Sequence, residues 1–364
     1  MKNVLWIGPI VPSEEVPKYK AISAAANVWQ MGFVNGLIEN GINVTSVSYI
    51  PFPTWPKGPL WARKPLNGID NKGIKQFFLG YLNIIYIREL WIATMIIFKS
   101  LIKISNLEGY IVFTYNPYPR HWFSANLLRL IFRCKWVSII ADDRSYGNPD
   151  FHLFLSFDYF KRFEKRNKLF CDGGIMIRSL NETKKNEKSS GSHKSLVFAG
   201  VLNDWTGIID FIDLFNEIDL ENYILHIYGK GDPDVLKNKN ISLKNKVILH
   251  GFVNDIELER ACRNAYAFIN PRPLHMFRSE NNFPSKLLLY LSYNKPVIST
   301  KTKGLSPDYD NILSYYSDSE TLKKCIDLIN DRENYENIVK KISCFNAENT
   351  WFKKVKNITN AIAI

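Results

Sequence analysis

Short apolar runs that end in glycine or a polar turn, each followed by a stretch of helical spacing, recur along this 364-residue chain, and that rhythm restricts it to parallel-sheet α/β architecture. Lys2 to Gly8 is the first run, Ala21 to Asn40 carries helical periodicity with Gly41 as its stop, and Val44 to Tyr49 is the second run. Tyr110 to Thr114 and Trp136 to Ala141 repeat the strand pattern on either side of a helix around His121 to Phe132, and Gly173 to Ile177 is expected to be a last short strand. The rhythm restarts at Ser195. Strands are expected at Ser195–Ala199, Tyr223–Tyr228, Val247–Leu249, Tyr266–Asn270 and Pro296–Ser299. Helices are expected at Ile208–Ile218, Asp255–Ala265 and Ser285–Ser292.

Between the two series lies a polar stretch rich in Lys, Ser and Gly with nothing to bury. The organisation that follows is a first domain over 1–184, a linker over 185–195, a second domain over 196–349 and an amphipathic terminal helix over 350–364 that packs back toward the first domain. Ligands of such folds bind beyond the carboxyl ends of the strands, so the informative residues are those just after them.

The net charge of +12 favours an anionic partner. Zinc-finger spacing, RNP-type aromatic strands and a basic helix followed by heptads are all absent from the sequence, which argues against nucleic acid. The five cysteines show no CxxC pair and are odd in number, which suits a reducing, cytoplasmic setting and neither a zinc site nor a disulfide framework. Phe77 to Ile104 is the most membrane-like stretch. Arg88, Glu89 and Lys99 interrupt it, so it is expected to be a buried helix or one lying on a membrane surface, not a spanning one. Tyr49 to Lys64, with two Trp, four Pro and flanking cations, suits a loop that meets a membrane or a lipid-linked acceptor, or a lid on the first domain. The basic run Lys161 to Lys168 supports the membrane reading or is a solvated helix face.

In the second half, Gly200, Gly229 and Gly251 each follow a strand, which allows close backbone approach to a ligand lying across the sheet edge or simply serves turn chemistry. After Asn270 a loop carries Arg272, Arg278 and Glu280, and Phe283-Pro284-Ser285-Lys286 opens a helix that Ser285 can cap. A helix start beside Lys286 and Arg272 suits a pyrophosphate; the same residues also make a capped helix with solvated lysines. In the first half, Asp142 and Asp143 follow a strand, where they can bind or polarise an acceptor hydroxyl or serve a turn. Asn116 and Tyr118 hold the corresponding place after the preceding strand, with His121 and His152 nearby and more plausibly structural.

Asn270-Pro271-Arg272, Phe283-Pro284-Ser285-Lys286, Lys295 to Thr300, and Gly304 with Asp308-Tyr309 are similar in kind and spacing to the C-terminal half of bacterial glycosyltransferases of family four, in a surface-polysaccharide branch. Gly36-Leu37, Glu39-Asn40-Gly41, Phe198-Ala199-Gly200 and Trp351 extend the resemblance over most of the chain. It implies a GT-B fold, two Rossmann-like doubly wound domains facing each other across a cleft. It also implies retaining transfer of a sugar from a nucleoside diphosphate, UDP first among them, to a glycan or lipid-linked acceptor in capsule, O-antigen or exopolysaccharide synthesis. Gly200 would approach the diphosphate, and Lys286 and Arg272 would neutralise it with neither metal nor cofactor. Gly229 would lie beside it; Gly251, Phe252 and Val253 would flank the base. Arg278, Glu280, Asn281, Asn282, Phe283 and Ser285 would face the sugar and leaving phosphate, with Asp142, Asp143, Asn116 and Tyr118 toward the acceptor. The enzyme would be cytoplasmic, with the inner, anionic membrane face as a further partner.

Three places depart from the pattern: Val201, Leu202 and Thr206 stand where the family has a phosphate-binding Arg and Lys, the carboxylate the branch has near Phe277 is represented only by Glu280 in a different register, and the third is in the helix. The family's helix has Ser-Lys-x-x-Glu, whose carboxylate holds the ribose hydroxyls, and this chain has Leu289 there. The alternatives are therefore a donor-degenerate sugar-binding or scaffold protein, or a nucleotide-sugar epimerase on the same scaffold.

Overall fold

The computed structural model describes residues 3–19, 21–63, 74–104, 109–142, 147–178, 193–218, 220–231, 234 and 246–363. Asp143 and residues 185–192 of the expected linker lie outside these. The chain divides into two compact units, Met1–Gly174 with Trp351–Ile364, and Ile175–Thr350.

The first unit is built on a seven-stranded sheet. Its strands are β1 (Asn3–Ile7), β2 (Asn43–Tyr49), β4 (Ile74–Leu79), β6 (Tyr110–Tyr115), β7 (Lys135–Ile140), β8 (Phe151–Phe154) and β9 (Lys168–Phe170). They run in the order β4-β2-β1-β6-β7-β8-β9, and every neighbouring pair is parallel. A small antiparallel pair, β3 (Trp61–Ala62) and β5 (Tyr81–Leu82), stands apart. Helices Ala24–Glu39, Ile87–Lys103 and Pro119–Phe132 supply the crossovers. The first is capped by Ser23, whose side chain accepts from the Ala26 amide at 3.3 Å, and it ends where Gly41 takes a positive φ of 76°.

The last helix, Trp351–Ala361, belongs to the first unit and lies on Ala24–Glu39. Gly32 makes room for it: a Cβ there would come within 2.2 Å of the Trp351 ring. Trp351 is 7% exposed and meets Trp29 edge-on at 5.6 Å. Lys354 pairs with buried Asp172 at 3.0 Å.

Among the described residues the second unit carries six strands: β10 (Lys194–Ala199), β11 (Tyr223–Tyr228), β12 (Lys246–Gly251), β13 (Ala267–Asn270), β14 (Val297–Ser299) and β15 (Ser314–Tyr315). Their order is β12-β11-β10-β13-β14-β15, again all parallel. Helices Ile208–Glu217, Asp255–Asn264, Lys286–Leu291, Ser319–Asn330 and Arg332–Glu348 flank the sheet.

Three expectations change. Gly173–Ile177 forms no strand; Ile175 makes a single bridge to Thr350, and Arg178 donates to Ser292 at 3.2 Å and to Glu259, all within the second unit. The edge of the first sheet is instead β8 and β9, which are too short to show a pattern of their own. The run Lys161 to Lys168 is not one helix face: helix Phe157–Arg162 ends inside it, and the Lys168 ammonium donates to the Phe160 and Phe163 carbonyls at 2.9 and 2.6 Å. Finally, Phe77 to Ile104 splits between β4, β5 and the helix Ile87–Lys103.

Candidate functional site

In the second sheet the chain moves outward from β10 to β12 and then returns to β13 on the other side of β10. The carboxyl ends of β10 and β13 therefore flank the point where the winding reverses, the usual ligand position in such sheets. Ala199-Gly200 ends one strand, and Asn270-Pro271-Arg272 the other. The helix Lys286–Leu291 closes over the β10 end. The Tyr290 hydroxyl accepts from the Ala199 amide at 2.9 Å, and the Lys286 ammonium donates to the Ala199 carbonyl. Tyr290 itself is fixed by stacking on Phe268 at 4.6 Å.

These elements enclose a pocket of about 70 Å³ lined by Phe198, Thr206, Asn270, Arg272, Ser285 and Lys286 among others. Among the described residues, two cations and no carboxylate line it. The Arg272 backbone is pinned by Thr300, whose Oγ1 accepts from the Arg272 amide at 2.9 Å and donates to its carbonyl at 3.0 Å. The guanidinium Nε is buried and has no hydrogen-bond partner. Burial holds the Arg272 guanidinium below its ordinary value. Burial, with the positive charge of Arg272, pushes the Lys286 ammonium down to about 8. The Lys286 ammonium also lies 5.0 Å from the centre of the Phe198 ring. A buried, like-charged pair without a counter-charge is unfavourable by itself and is relieved by an anion. The pocket is thus built to receive negative charge.

The three expected glycines stand side by side at the ends of β10, β11 and β12. The Gly200 amide donates to the Tyr228 carbonyl and the Gly229 amide to the Gly251 carbonyl, both at 2.7 Å. Gly229 has φ 145°, and a Cβ there would sit 1.9 Å from the Gly200 carbonyl oxygen. That position requires glycine for strand approach. Beyond Gly251, Phe252 is 70% exposed with the Lys230 ammonium 4.7 Å from its ring centre, and Val253 is half-buried.

The segment after β13 forms a short helix, Phe277–Asn281. Arg278 is exposed on it. Glu280 pairs with Lys303 at 2.9 Å, and its carbonyl accepts from the Gly304 amide at 3.2 Å. Asn281 is buried and donates to the Phe277 carbonyl at 2.7 Å; the Asn282 Oδ1 is buried without a partner. Phe283 meets Tyr309 at 5.9 Å. Among the described residues, no hydrogen bond or ion pair joins Glu280 to Lys286 or Arg272. Ser285 stands at the helix start but makes no side-chain cap: its own backbone is helical. Leu289 packs against the core around Phe268, Tyr290 and Tyr309. The helix uses that position for packing, where a carboxylate was the family expectation.

In the first unit the winding reverses between β1 and β6. Asn116, just after β6, takes φ 58° and locks the end of β7: its Oδ1 accepts from the Ala141 amide at 3.0 Å, and its Nδ2 donates to Asp142 at 3.2 Å. Tyr118 is 40% exposed, with the Arg120 guanidinium 4.5 Å from its ring centre. His121 is fully buried beneath. Its Nε2 meets the Tyr49 hydroxyl at 2.9 Å and its Nδ1 the Tyr115 carbonyl at 2.9 Å; Arg120 donates to the same hydroxyl at 2.6 Å. Burial beside Arg120 lowers the imidazole to about 3, so it stays neutral. His152 is buried against Phe163 at 4.5 Å and lowered to about 4. Both imidazoles are thus buried and held neutral. Asn116 and Asp142 are joined as expected of neighbours on one sheet edge, and Tyr118 is the exposed member.

Sequence reasoning missed Thr300, Tyr290 and Lys303. Each lies inside or beside a quoted motif, but its role is a contact between segments. Thr300 closes the run beginning at Lys295 and directly follows β14, the neighbour of β13; a hydroxyl just after a strand is the signal that could have found it.

Residues 193–331 match the family model described as Glycosyl transferases group 1. No curated protein matches the chain. Among solved structures, a glycosyltransferase from Rickettsia africae ESF-5 is similar at 14% identity and TM-score 0.66, over 99% of this chain and 97% of that one. Anabaena Alr3699/HepE in complex with UDP and glucose is similar at 11% identity and TM-score 0.63, over 100% of both chains. WaaG, a glycosyltransferase involved in lipopolysaccharide biosynthesis, is similar at 12% identity and TM-score 0.58, over 99% of both chains. The fold is that of GT-B glycosyltransferases: two parallel-sheet, Rossmann-like α/β domains. The family match lies within the second unit, and the fold is shared along the whole chain.

Proposed function

We propose that this chain transfers a sugar from a nucleoside diphosphate donor, a UDP-sugar first, to a hydroxyl of a glycan or lipid-linked acceptor in surface-polysaccharide synthesis. The observation that carries the reading is the pair Lys286 and Arg272, buried together at the reversal point of the second sheet with no counter-charge among the described residues. In the reaction the acceptor oxygen bonds to the anomeric carbon as the bond from that carbon to the donor phosphate breaks. The nucleoside diphosphate departs with the electron pair, and its freed phosphate oxygen takes the acceptor proton. Charge builds on the leaving phosphate, and two pre-placed cations in a partly dry pocket stabilise it. That supply of positive charge is the basis for expecting transfer without a metal or cofactor.

Gly200, Gly229 and Gly251 let the donor lie against backbone at three strand ends, and exposed Phe252 with Val253 offers an apolar face to a base. Arg278 and Asn282, with Ser285 and Phe283, are the residues assigned to the sugar and its phosphate. Glu280 acts through Lys303 or after releasing it, and Asn281 is a positioning residue. Asp142, Asp143, Asn116 and Tyr118 are assigned to the acceptor. Retention of anomeric configuration and a cytoplasmic setting belong to the same proposal. The UDP and glucose bound by HepE support a UDP-sugar, and the lipopolysaccharide role of WaaG supports the pathway class.

Thermal unfolding with UDP-, GDP- and CMP-sugars identifies the donor, and transfer of a labelled sugar tests the chemistry. Lys286→Ala and Arg272→Ala are expected to cut turnover by at least about 100-fold, since one lost donor to a developing charge costs about 2.7–4 kcal/mol in an oxyanion hole. Unchanged turnover in both variants rejects the site. Conversion of the donor with no acceptor present identifies an epimerase instead.

A further inference from the structure

The helix Ile87–Lys103 is apolar on two opposite faces. Ile92, Ala93 and Ile96 point inward and are at most 2% exposed. On the opposite face, Ile87, Leu90, Phe98, Leu101 and Ile102 are 43–66% exposed, with Trp91 beside them at 37%. A soluble helix ordinarily gives its outer face to charged residues. The one carboxylate on this helix, Glu89, is turned inward, paired with Arg120 at 2.6 Å and Arg88 at 3.2 Å.

The apolar face continues onto the preceding loop. Trp61 meets Trp91 edge-on at 5.5 Å and is 48% exposed, and Trp55 and Leu60 are exposed to 51% and 48%. The loop is fastened to the helix. Arg88 donates to Thr54 at 2.7 Å, and the Trp55 amide donates to the Asn83 carbonyl at 3.0 Å. Lys57 and Arg63 are exposed on this loop, and Lys99 is half-buried on the helix. Across residues 49–104 the sequence holds eight Lys or Arg against two acids, so half of the net charge of +12 comes from this stretch.

We propose that this face docks the first unit onto an anionic lipid surface. Leu, Ile and Phe side chains enter the headgroup boundary, Trp55, Trp61 and Trp91 sit at that level, and Lys57 and Arg63 meet lipid phosphates. Among the described residues no helix is long and apolar enough to cross a membrane, so this helix lies in the surface. Charge selects lipid over a second copy of the chain. A two-fold pairing brings each patch against itself, so the same cations would face one another, and among the described residues of this stretch the one acid, Glu89, is already paired with Arg120 and Arg88. Anionic headgroups supply what is missing. The inference rests on the first unit alone and does not depend on the transfer chemistry.

Co-sedimentation of the full chain with vesicles tests it, using phosphatidylcholine alone and phosphatidylcholine mixed with phosphatidylglycerol. Binding is expected to the mixed vesicles, to weaken with salt, and to be at least about tenfold weaker to phosphatidylcholine, because each cation near such a surface contributes ≈ 1 kcal/mol. Leu90→Glu with Phe98→Glu, and separately Lys57→Glu with Arg63→Glu, should each lower binding by at least about tenfold with an unchanged unfolding temperature. No binding to mixed vesicles, equal binding to both vesicles, or a dimer in solution that Leu90→Glu and Phe98→Glu dissociate overturns the proposal. The thermal shift with UDP, read on the same proteins, keeps the two questions apart: its absence rejects the donor site and leaves the vesicle result standing.

Discussion

Lys286 shows how a functional residue can work against the fold that holds it. Its folded value of about 8 lies below the ordinary 10.5. Below pH 8 the ammonium is protonated in both states, and the folded state bears the cost of burying it. As pH rises from 8 to 10.5 the folded protein releases its proton first, so stability climbs, and above 10.5 the cost is gone. The displacement corresponds to roughly 3 kcal/mol. Lys286→Met is therefore expected to unfold at a higher temperature than the wild type at pH 7, with the gap closing by pH 10.5, while losing the thermal shift with UDP. A variant less stable than wild type at pH 7 contradicts this reading. The orphaned Ala199 carbonyl does not reverse the sign, because the Tyr290 hydroxyl also reaches it at 3.3 Å. Gly229 carries the opposite lesson. Gly229→Ala places a methyl group 1.9 Å from the Gly200 oxygen at φ 145°, and a loss of about 2–4 kcal/mol by urea unfolding is expected. The sequence makes it plain that glycines end these strands and that Lys286 opens a helix. It is silent on which glycine meets a neighbouring backbone and on the missing counter-charge, since both are facts about segments brought together.

Elements with strong periodicity or clear stops were readable: the first helix up to Gly41, every strand from Lys194 to Ser299 to within a few residues, and the terminal helix. Those that failed were short. Four residues of β8 and three of β9 carry too little pattern to be told from loop, and Gly173–Ile177 imitated a strand by composition alone, since Ile175 is buried but Met176 and Ile177 are exposed. The pairing of the terminal helix with the first one is marked only by small residues four apart, Gly32 and Gly36, beneath Trp351 and Val355. Trp351→Ala empties that notch, and a loss of about 3–5 kcal/mol is expected in the unfolding of the first unit. Circular dichroism melts that match the wild type contradict it. Gly32→Leu should fail in the opposite sense, by overfilling, and should also release the terminal helix to proteolysis.

At the scale of the whole molecule, the core clusters of the two units share no residue. Two calorimetric transitions are expected, and saturating UDP should raise only the one that Lys286→Met also shifts. A single transition, or two that move together, contradicts independent units. Transfer activity should survive EDTA, and loss of activity restored by a divalent ion would show that the two cations are insufficient. The polar break before Ser195 revealed that there are two domains. It did not reveal that residues 175–178 already belong to the second, because Arg178 earns that place through contacts with Ser292 and Glu259. The bridge between Ile175 and Thr350 brings the two ends of the second unit side by side, so that unit stands in the first as a parenthesis in a sentence. A ribosome finishes the parenthesis before Trp351, Val355 and Ile358 emerge. The first-made unit is thus the last able to complete its core, and until then the groove of Gly32 and Trp29 stays open to water, chaperones and other nascent chains.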